Sequence, residues 1–437
     1  MTAIVMFPVL FLLIFLGCPV AFALLGVAFA FGLFVFGDAV LFQFTQKIED
    51  VASNFVLAAV PLFVFMGAML ERSGIAEQLF NAIHLWTRRM PGGLAVGTVI
   101  MCIIFAASTG VIGATETVVG LLAIPAMMRH NYAKPLISGT ICAGGSLGTI
   151  IPPSVVVVVM GPIANVSIGD LMVGMVFPGL ILSGLYILYI VTLCLLNPAS
   201  APRVPPSPDD PAFAEKVAIT VKALFPPLAM IFAVLGSIML GWAAPTEAAA
   251  IGAFGAFLLT LCYGKFSFAT FKEALIKTLV VTSMIMFILL AGSLFTGVYV
   301  GAGGMRVMRE AIQSLEVGPW GLLLIFLALV FLAGFFLEWI SILLILVPIF
   351  MPFVLKSGFE PVWFCMLLLV MIQTSYLTPP MAPAIFYLRG VAPKSITLKH
   401  MYSGVLPFIA IQLVALAIVA AFPQTALWLP QQLLGFQ

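Results

Sequence analysis

Two proline pairs interrupt runs of apolar residues, and they constrain the fold more than any other feature of the sequence. Pro152-Pro153 follows the glycine-rich run 143–148, and Pro379-Pro380 lies 227 residues after it. Proline lacks a backbone N–H and clashes with the preceding turn, so neither helix continues regularly through its pair. Backbone freed at membrane depth must be satisfied by protein or by an aqueous cavity, and transporters use such breaks to bind ions and substrates.

The composition places both breaks in a lipid bilayer. Of the 437 residues, 63% are hydrophobic and 8% are charged, and the mean hydropathy is +1.25. These values far exceed those of a soluble domain, so we predict an all-α polytopic membrane protein. Residues 1–37 carry no charge, so the basic region of a signal peptide is missing and the first apolar segment is expected to be retained. The net charge of +2, spread over short loops, argues against a nucleic-acid partner.

The second half of the chain repeats the order of the first. We therefore predict a duplicated unit, with a first repeat at 1–196, a proline-rich and charged cytoplasmic linker at 197–222, and a second repeat at 223–437. Four sets of residues recur in order at offsets of 222 to 229: Pro19 and Gly26 with Pro245 and Gly252, Glu116 and Pro125 with Glu338 and Pro348, the two proline pairs, and Ser167 and Pro178 with Ser395 and Pro407.

The distribution of Lys and Arg predicts the orientation of the two repeats. Eleven lie in the segments 71–91, 129–134, 264–277 and 389–400, but only four lie in 38–50, 160–170, 301–319 and 356–360. All eight segments are interpreted as loops, and the first four are cytoplasmic by the positive-inside rule. Because matching loops then lie on opposite sides, we predict inverted-topology repeats.

The assignment of loops to the two sides of the membrane predicts that two apolar segments form re-entrant helical hairpins. Residues 92–128 begin and end at cytoplasmic loops, with a predicted tip at 107–110, and residues 320–355 form the inverted hairpin, with a turn between Gly334 and Ser341. The broken helices are predicted at 135–163 and 362–388, so that hairpins and breaks meet near the midplane. Segment 3–17 is short for a crossing, which needs about 20 residues, and we place the N-terminus outside.

Three carboxylates fall inside the predicted apolar segments. They are Glu116, Glu247 and Glu338, and all Lys and Arg residues are assigned to loops, so no positive side chain is expected in a membrane segment. A carboxylate buried in a membrane is a candidate functional group. Three roles stay open for Glu116 and Glu338: capping freed backbone at the hairpin tips, supporting an ion site indirectly, or carrying a proton.

The first hairpin tip and the first break together offer neutral oxygen atoms. The hydroxyls of Ser108 and Thr109, next to Gly110, are expected to face freed carbonyls between Gly148 and Ser154. Sodium suits such a site, whereas Mg²⁺ or Ca²⁺ would normally recruit carboxylates. A twin site is predicted at the second tip with residues 374–381. The alternative is that these hydroxyls only join helices together.

Other chemistry finds little support in the sequence. The six cysteines lie in apolar segments and the three histidines lie at loop edges, without the spacing of metal ligands. We therefore predict no cofactor and no metal other than Na⁺. HExxH and GxxxxGK[ST] are absent, so we predict neither an enzyme nor ATP hydrolysis by this chain. The energy source would be an ion gradient or another subunit.

Three stretches resemble the large membrane subunit of tripartite ATP-independent periplasmic (TRAP) transporters. They are FAASTGVIGATETVVGLLAIPAMMRHNYAKPLISGTICAGGSLGTIIPPS at 105–154, APTEAAAIGAFGA at 244–256 and QTSYLTPPMAPAIFYLRG at 373–390, and the similarity extends over essentially the full length. The resemblance implies a multi-pass protein of the bacterial inner membrane, embedded in the lipid bilayer. It also implies sodium-driven import of small organic acids by an elevator mechanism.

The same resemblance implies two protein partners. One is a soluble periplasmic substrate-binding protein, and the other is a small four-helix membrane subunit. Residues 1–37 contain no additional fused helices, so the small subunit is expected as a separate chain.

Carried over by position, the resemblance also implies site residues. The substrate would face helix N-termini, whose positive dipole ends point toward a carboxylate. The first ion site would comprise Ser108, Thr109, Gly110, Gly148, Ile151 and Pro152; the second ion site Gly334, Thr378, Pro379 and Met381; and the substrate-facing residues Ser154, Pro153 and Pro380.

Two other classes of protein remain open. A stand-alone ion-coupled carboxylate carrier would share the inverted hairpins but would need no binding protein. A channel or an intramembrane enzyme would need a polar pore ring or catalytic residues in place of two matched breaks.

Overall fold

The described residues of the first half form helices joined by turns and short loops. A computed structural model describes residues 2–110, 113–203 and 211–435; residues 111–112 of the predicted first hairpin and 204–210 of the predicted linker lie outside this range. The helices are α1 (Thr2–Phe15), α2 (Val20–Phe36), α3 (Ala39–Ala52), α4 (Ala59–Arg72), α5 (Ile75–Thr87), α6 (Gly93–Thr109), α7 (Ala114–Arg129), α8 (Lys134–Ser146), α9 (Val155–Ala164), α10 (Ile168–Gly174) and α11 (Val176–Leu196).

The described residues of the second half likewise form helices joined by turns and short loops. A π-helical turn at Phe232–Gly236 joins the first two of its helices. The helices are α12 (Phe213–Ile231), α13 (Ser237–Met239), α14 (Pro245–Cys262), α15 (Phe268–Gly301), α16 (Gly304–Ser314), α17 (Pro319–Ala333), α18 (Trp339–Lys356), α19 (Pro361–Leu377), α20 (Pro383–Val391), α21 (Leu398–Ala421) and α22 (Gln424–Leu434).

Many of these helices are long and apolar enough to cross a membrane. Within the described ranges there are seven such helical segments. Each is at least 18 residues long, whereas the helices of the predicted hairpins and breaks include several shorter apolar ones, such as α6, α9, α17 and α19. Their limited length is consistent with elements that end inside the bilayer.

Several segments predicted as loops are helical instead. Residues 39–50 of segment 38–50 lie in α3, segment 71–91 contains α5, and segment 301–319 contains α16. The prediction was wrong here because charged residues were taken as loop markers, although a helix with one polar face accommodates them at a surface. Helix α15 likewise begins at Phe268, so most of 264–277 is helical, and α12 begins inside the predicted linker at Phe213.

Both proline pairs end their helices. Helix α8 ends at Ser146, a 3₁₀ turn covers Leu147–Thr149, and α9 begins only at Val155. Helix α19 ends at Leu377, and α20 begins at Pro383. Each pair contains a cis peptide bond.

The helices pack into two groups that meet along one side. In the first group α4 packs on α14 and α15, and α15 packs on α2. In the second, α8 packs on α6, α7 and α21, and α19 packs on α21 and α17. The two broken helices touch where Gln373 Nε2 donates to Ser146 Oγ at 3.1 Å, and both residues are fully buried.

Candidate functional site

The first hairpin tip lies against the first break. Helix α6 ends at Gly110, which adopts a left-handed conformation with φ of 62°. Its carbonyl oxygen accepts from the backbone N–H of Val155 at 3.3 Å. A Cβ at Gly110 would approach the carbonyl oxygen of Pro153 to 2.8 Å, so only glycine allows this contact without displacement.

All predicted residues of the first site are buried, but their hydroxyls are already engaged. Ser108 Oγ donates to the Ile104 carbonyl at 2.7 Å, and Thr109 Oγ1 donates to the Phe105 carbonyl at 3.0 Å. Each hydroxyl oxygen keeps lone pairs that can accept a hydrogen bond or contact a cation. Gly148, Ile151 and Pro152, like the substrate-facing Pro153 and Ser154, are buried as well. Ser154 Oγ donates across the break to the Thr149 carbonyl at 3.1 Å.

Three carbonyl groups of the first break accept no backbone hydrogen bond from the residues that the structure describes. In the described part of the chain, no backbone hydrogen bond outside the regular helices ends on the carbonyl oxygens of Ile151, Pro152 or Pro153. Buried backbone acceptors normally have a partner. These oxygens therefore form a neutral, buried acceptor surface next to the first tip.

The second tip and break are more open. Gly334 is buried against Ser375, where a Cβ would approach the Ser375 hydroxyl oxygen to 2.6 Å. Thr378 Oγ1 donates to the Thr374 carbonyl at 2.7 Å, and the Thr378 carbonyl accepts from Ala382 at 3.1 Å. Pro379 is half-buried, whereas Pro380 and Met381 are exposed, Met381 to 37%.

A cavity of about 620 Å³ joins both tips and both breaks. One wall consists of Gly110 and Gly113 from the first tip, Gly334 and Glu338 from the second, and residues following each break. The opposite wall comes from α2, α4 and α15. The residues following the breaks are Val155, Val156, Met381, Pro383 and Tyr387, and the opposite wall contributes Val20, Val64, Glu71, Lys277, Val281, Met284 and Ile285.

The three predicted buried carboxylates occupy different environments. Glu116 is fully buried, and its Oε2 accepts from the Gly113 N–H at 2.9 Å, which caps the start of α7. Glu338 is partly buried and lines the cavity. Glu247 is exposed, so the prediction of a buried carboxylate is wrong there. It caps α14 by accepting from the Ala244 N–H at 2.8 Å. Glu247 lies in the first turn of this helix, at the very start of the apolar segment 245–263, and is therefore not enclosed by it.

Lys277 corrects a second prediction. It lies in α15, one of the seven membrane-length helical segments in the described ranges, and it lines the cavity. A positive side chain therefore lines the cavity, from the charged first part of this 34-residue helix. Sequence reasoning placed Lys277 in a loop away from the site, although α15 begins at Phe268.

Sequence reasoning missed Tyr387, and it included Ser375 and Tyr376 in the twin site at 374–381 without giving either a role of its own. Tyr376 and Tyr387 both line the cavity. The Tyr387 ring also lies over Gly113, where a Cβ would approach Cζ to 2.8 Å. Ser375 lines the cavity beside Gly334. The position of all three within seven residues of the second proline pair was the available signal.

One sequence motif of hydrolytic enzymes, GxSxG, is present, but its serine is not placed as it is in those enzymes. Residues 144–148, Gly-Gly-Ser-Leu-Gly, fit GxSxG, whose nucleophilic serine stands on a turn from a strand to a helix. Ser146 instead ends helix α8, is fully buried, and donates to the Ala143 carbonyl at 2.8 Å. It therefore acts as a packing residue between the broken helices.

Comparison with known families gives a match over nearly the whole chain. The family described as "Tripartite ATP-independent periplasmic transporter, DctM component" matches residues 7–425. The C4-dicarboxylate TRAP transporter large permease protein DctM of Pseudomonas aeruginosa is 32% identical over 94% of both chains. The sialic acid TRAP transporter large permease protein SiaM of Vibrio cholerae is 28% identical over 97% of both chains.

Solved structures share the fold at low sequence identity. The Alcanivorax borkumensis YdaH transporter aligns with a TM-score of 0.64 and 17% identity, over 95% of this chain and 98% of its own. The Neisseria gonorrhoeae MtrF protein aligns with a TM-score of 0.60 and 15% identity, over 90% and 85%.

These matches identify a transport protein and not an enzyme, in line with the prediction from motifs. The family is tripartite, so the chain works with a periplasmic binding protein and a small membrane subunit. Bacterial relatives and the apolar helices make it a multi-pass protein of the inner membrane. The chain belongs to the DctM family of TRAP transporter components and is a large permease subunit.

Proposed function

We propose that this chain is the large subunit of a sodium-driven, binding-protein-dependent importer of small organic acids that works by an elevator mechanism. The observation that carries the proposal is the cavity of about 620 Å³, which has both hairpin tips and both breaks on one wall and α2, α4 and α15 on the other. Substrate and coupling ions of secondary transporters bind at discontinuous helices of this kind.

An organic acid fits this cavity for two reasons. Helices α9 and α20 begin at the breaks, and their first residues Val155 and Pro383 line the cavity, so positive dipole ends face it. Relatives are named for C4-dicarboxylates in Pseudomonas aeruginosa and for 2,3-diketo-L-gulonate in Escherichia coli. Both are carboxylates.

Sodium is proposed as the coupling ion because the acceptor groups at both tips are neutral. The first site would use the Ser108 and Thr109 hydroxyls with free carbonyls between Gly148 and Pro152. The second would use Thr378 with carbonyls near Gly334 and 379–381. Sodium, a hard cation, takes such oxygens, and its charge would offset that of the incoming carboxylate.

Movement of one helix group against the other would expose the site to each side in turn. The moving group would contain the hairpins and the broken helices, and the fixed group would contain α2, α4 and α15. We propose that the small subunit is a separate chain. One relative, the isethionate permease DctMQ of Oleidesulfovibrio alaskensis, is longer, since the alignment covers 95% of this chain but 65% of that protein.

Reconstitution tests the proposed function. The chain and its small subunit would be reconstituted in proteoliposomes, and the binding protein encoded beside them would be added outside. Uptake would be measured with succinate and with the ligand that co-purifies with the binding protein. Sodium and the membrane potential would be imposed separately. Uptake is expected to require both inward sodium and the loaded binding protein. Uptake of free ligand without the binding protein would make the chain a stand-alone carrier instead.

The first ion site has a test of its own. Ser108→Ala with Thr109→Val removes two hydroxyls without changing the helix, and it should raise the sodium concentration for half-maximal uptake about tenfold, since two ligands of a cation are lost. Thr45→Val, at an exposed site on α3, is the matched control. Unchanged sodium dependence in the double variant would count against the first site.

A further inference from the structure

Lys277 lies at one end of the cavity wall formed by α15. The other α15 residues of this wall, Val281, Met284 and Ile285, follow it at helical spacing on the same face. At 1.5 Å per residue, the Lys277 backbone lies roughly 12 Å along the helix from Ile285. Segments 264–277 and 71–91, which contain this end of α15 and the end of α4, are the ones assigned to the cytoplasm from their Lys and Arg content.

Glu71 holds Lys277 at this end of the cavity. The Lys277 ammonium group donates to Glu71 Oε2, and both side chains line the cavity, with 30% and 19% of their surfaces exposed. An ion pair with this much access to water is weak, and a competing anion can replace one partner. Lys277 is therefore restrained but available.

Other contacts besides the Lys277 pair also hold α4 against α15. Arg72 and Glu273 form a second ion pair between the same helices, at 3.4 Å. The rings of Phe65 and Phe271 make an edge contact between them as well, with centroids 6.0 Å apart. The position of Lys277 on the cavity therefore calls for a different explanation.

The charges around the cavity are asymmetric. Among the described residues that line it, Lys277 is the one Lys or Arg, and the acids are Glu71 and Glu338. Glu338 belongs to the second hairpin tip, on the opposite wall. A carboxylate inside the cavity would be repelled by Glu338, and the Lys277 ammonium group is the positive side chain that it could contact there by replacing Glu71.

We propose that Lys277 binds the substrate carboxylate at the cytoplasmic end of the cavity, and that Glu71 competes with the substrate for this ammonium group. This inference rests on the proposed function in one respect, the organic-acid substrate. It places a contact for substrate release on the wall of α2, α4 and α15, opposite the hairpin tips. When Glu71 then replaces the substrate at Lys277, the ion pair between these two side chains forms again.

The two partners of the ion pair should have opposite effects on transport. Product rebinding is measured as the internal succinate concentration that halves uptake of external succinate. Lys277→Gln should raise this concentration about fivefold, and Glu71→Gln should lower it by a similar factor, since the contact has the strength of a partly exposed ion pair. Lys277→Arg should stay close to the parent protein. Lys272→Gln, exposed on the same helix and outside the cavity, is the matched control.

A second measurement does not depend on the substrate. Val281→Cys places a thiol one turn from Lys277 on the cavity face. Its modification by anionic methanethiosulfonate ethylsulfonate and by the cationic trimethylammonium analogue is followed by peptide mass spectrometry on the full-length protein. Adding Lys277→Gln should lower the ratio of anionic to cationic rates about fivefold, and adding Glu71→Gln should raise it.

The outcomes separate the alternatives. Opposite shifts in transport together with opposite shifts in labelling support the proposal. Equal shifts in one direction for both variants would show that the pair only joins α4 to α15, and an unchanged labelling ratio would show that Lys277 does not act on anions in the cavity; either result overturns it. If the parent protein takes up neither succinate nor an organic acid that co-purifies with the binding protein, the substrate assignment falls, while the labelling ratio still decides the role of Lys277.

Discussion

Two glycines determine how closely α8 and α21 approach each other. A Cβ added to Gly139 would collide with the carbonyl oxygen of Gly404, and one added to Gly404 would collide with that of Pro135. Small residues at helix contacts allow such close approach inside membranes, where packing replaces the hydrophobic effect as the main source of association. This contact supports the first broken helix.

Gly404→Ala should therefore destabilise the protein despite the higher helix propensity of alanine. The expected cost is about 1–3 kcal/mol, as for overpacking, seen as a lower thermal midpoint in detergent. Gly184→Ala is the control, because a Cβ there meets no atom within 4 Å. A stabilised or unchanged Gly404→Ala variant would contradict the close contact.

Glu116 and Glu247 make the same helix cap in different surroundings, which allows a matched comparison. Glutamine retains the acceptor of each cap, and leucine removes it. Glu116→Leu should be less stable than Glu116→Gln by about 1–3 kcal/mol, because the Gly113 N–H is then buried without a partner. At exposed Glu247 the same comparison should give about 1 kcal/mol or less, since water replaces the carboxylate. Equal differences at both sites, measured by thermal unfolding, would exclude the buried cap.

At the scale of helices, the two broken elements are joined by residues that the repeat offset relates to each other. Ser146 and Gln373 are 227 residues apart, like the two proline pairs, and they share a hydrogen bond of 3.1 Å. Gln412 Nε2 in turn lies 3.5 Å from the Gln373 carbonyl. The predicted repeat makes these two residues equivalent, and a contact between equivalent residues is expected where the axis of such a repeat passes.

A double-mutant cycle measures this contact. Ser146→Ala, Gln373→Leu and the double variant should give a coupling free energy of about 1 kcal/mol, the typical net value of an intramolecular hydrogen bond. The measurement is thermal or chemical unfolding of all four proteins in the same detergent. Additive effects of the two single variants would mean that the broken helices are not joined here.

The elements themselves were largely predictable, because proline pairs and long apolar runs act locally. The ends of α8 and α19 follow from the missing N–H groups of Pro152 and Pro379. The charged helices α3, α5 and α16 were not predictable by the same reasoning, since charge alone does not distinguish a loop from a helix at the surface. The role of Lys277 required tertiary information, because only the packing of α4 and α15 brings its side chain to the cavity.

At the scale of the whole molecule, the two breaks differ in exposure although their sequences correspond. Residues 148–154 are buried, whereas Pro380 and Met381 are exposed, Met381 at the cavity. The cavity also reaches Lys277, at the predicted cytoplasmic end of α15. In alternating access by inverted repeats, the two repeats exchange their environments when the site turns to the other side. Unequal exposure of the two breaks is therefore expected of one end state.

This asymmetry predicts a reversal of accessibility during transport. Met381→Cys should react with a membrane-impermeant thiol reagent applied from the cytoplasmic side, while Ser154→Cys should be protected. Driving the site outward with sodium-free conditions and excess binding protein should protect Met381→Cys and expose Ser154→Cys to reagent from the outside, because movement of the hairpin group carries both breaks past the wall of α2, α4 and α15. Modification would be read at each position by peptide mass spectrometry. Accessibility that stays the same at both positions under all conditions would mean that the two breaks do not exchange environments, and the elevator proposal would then lose its structural basis.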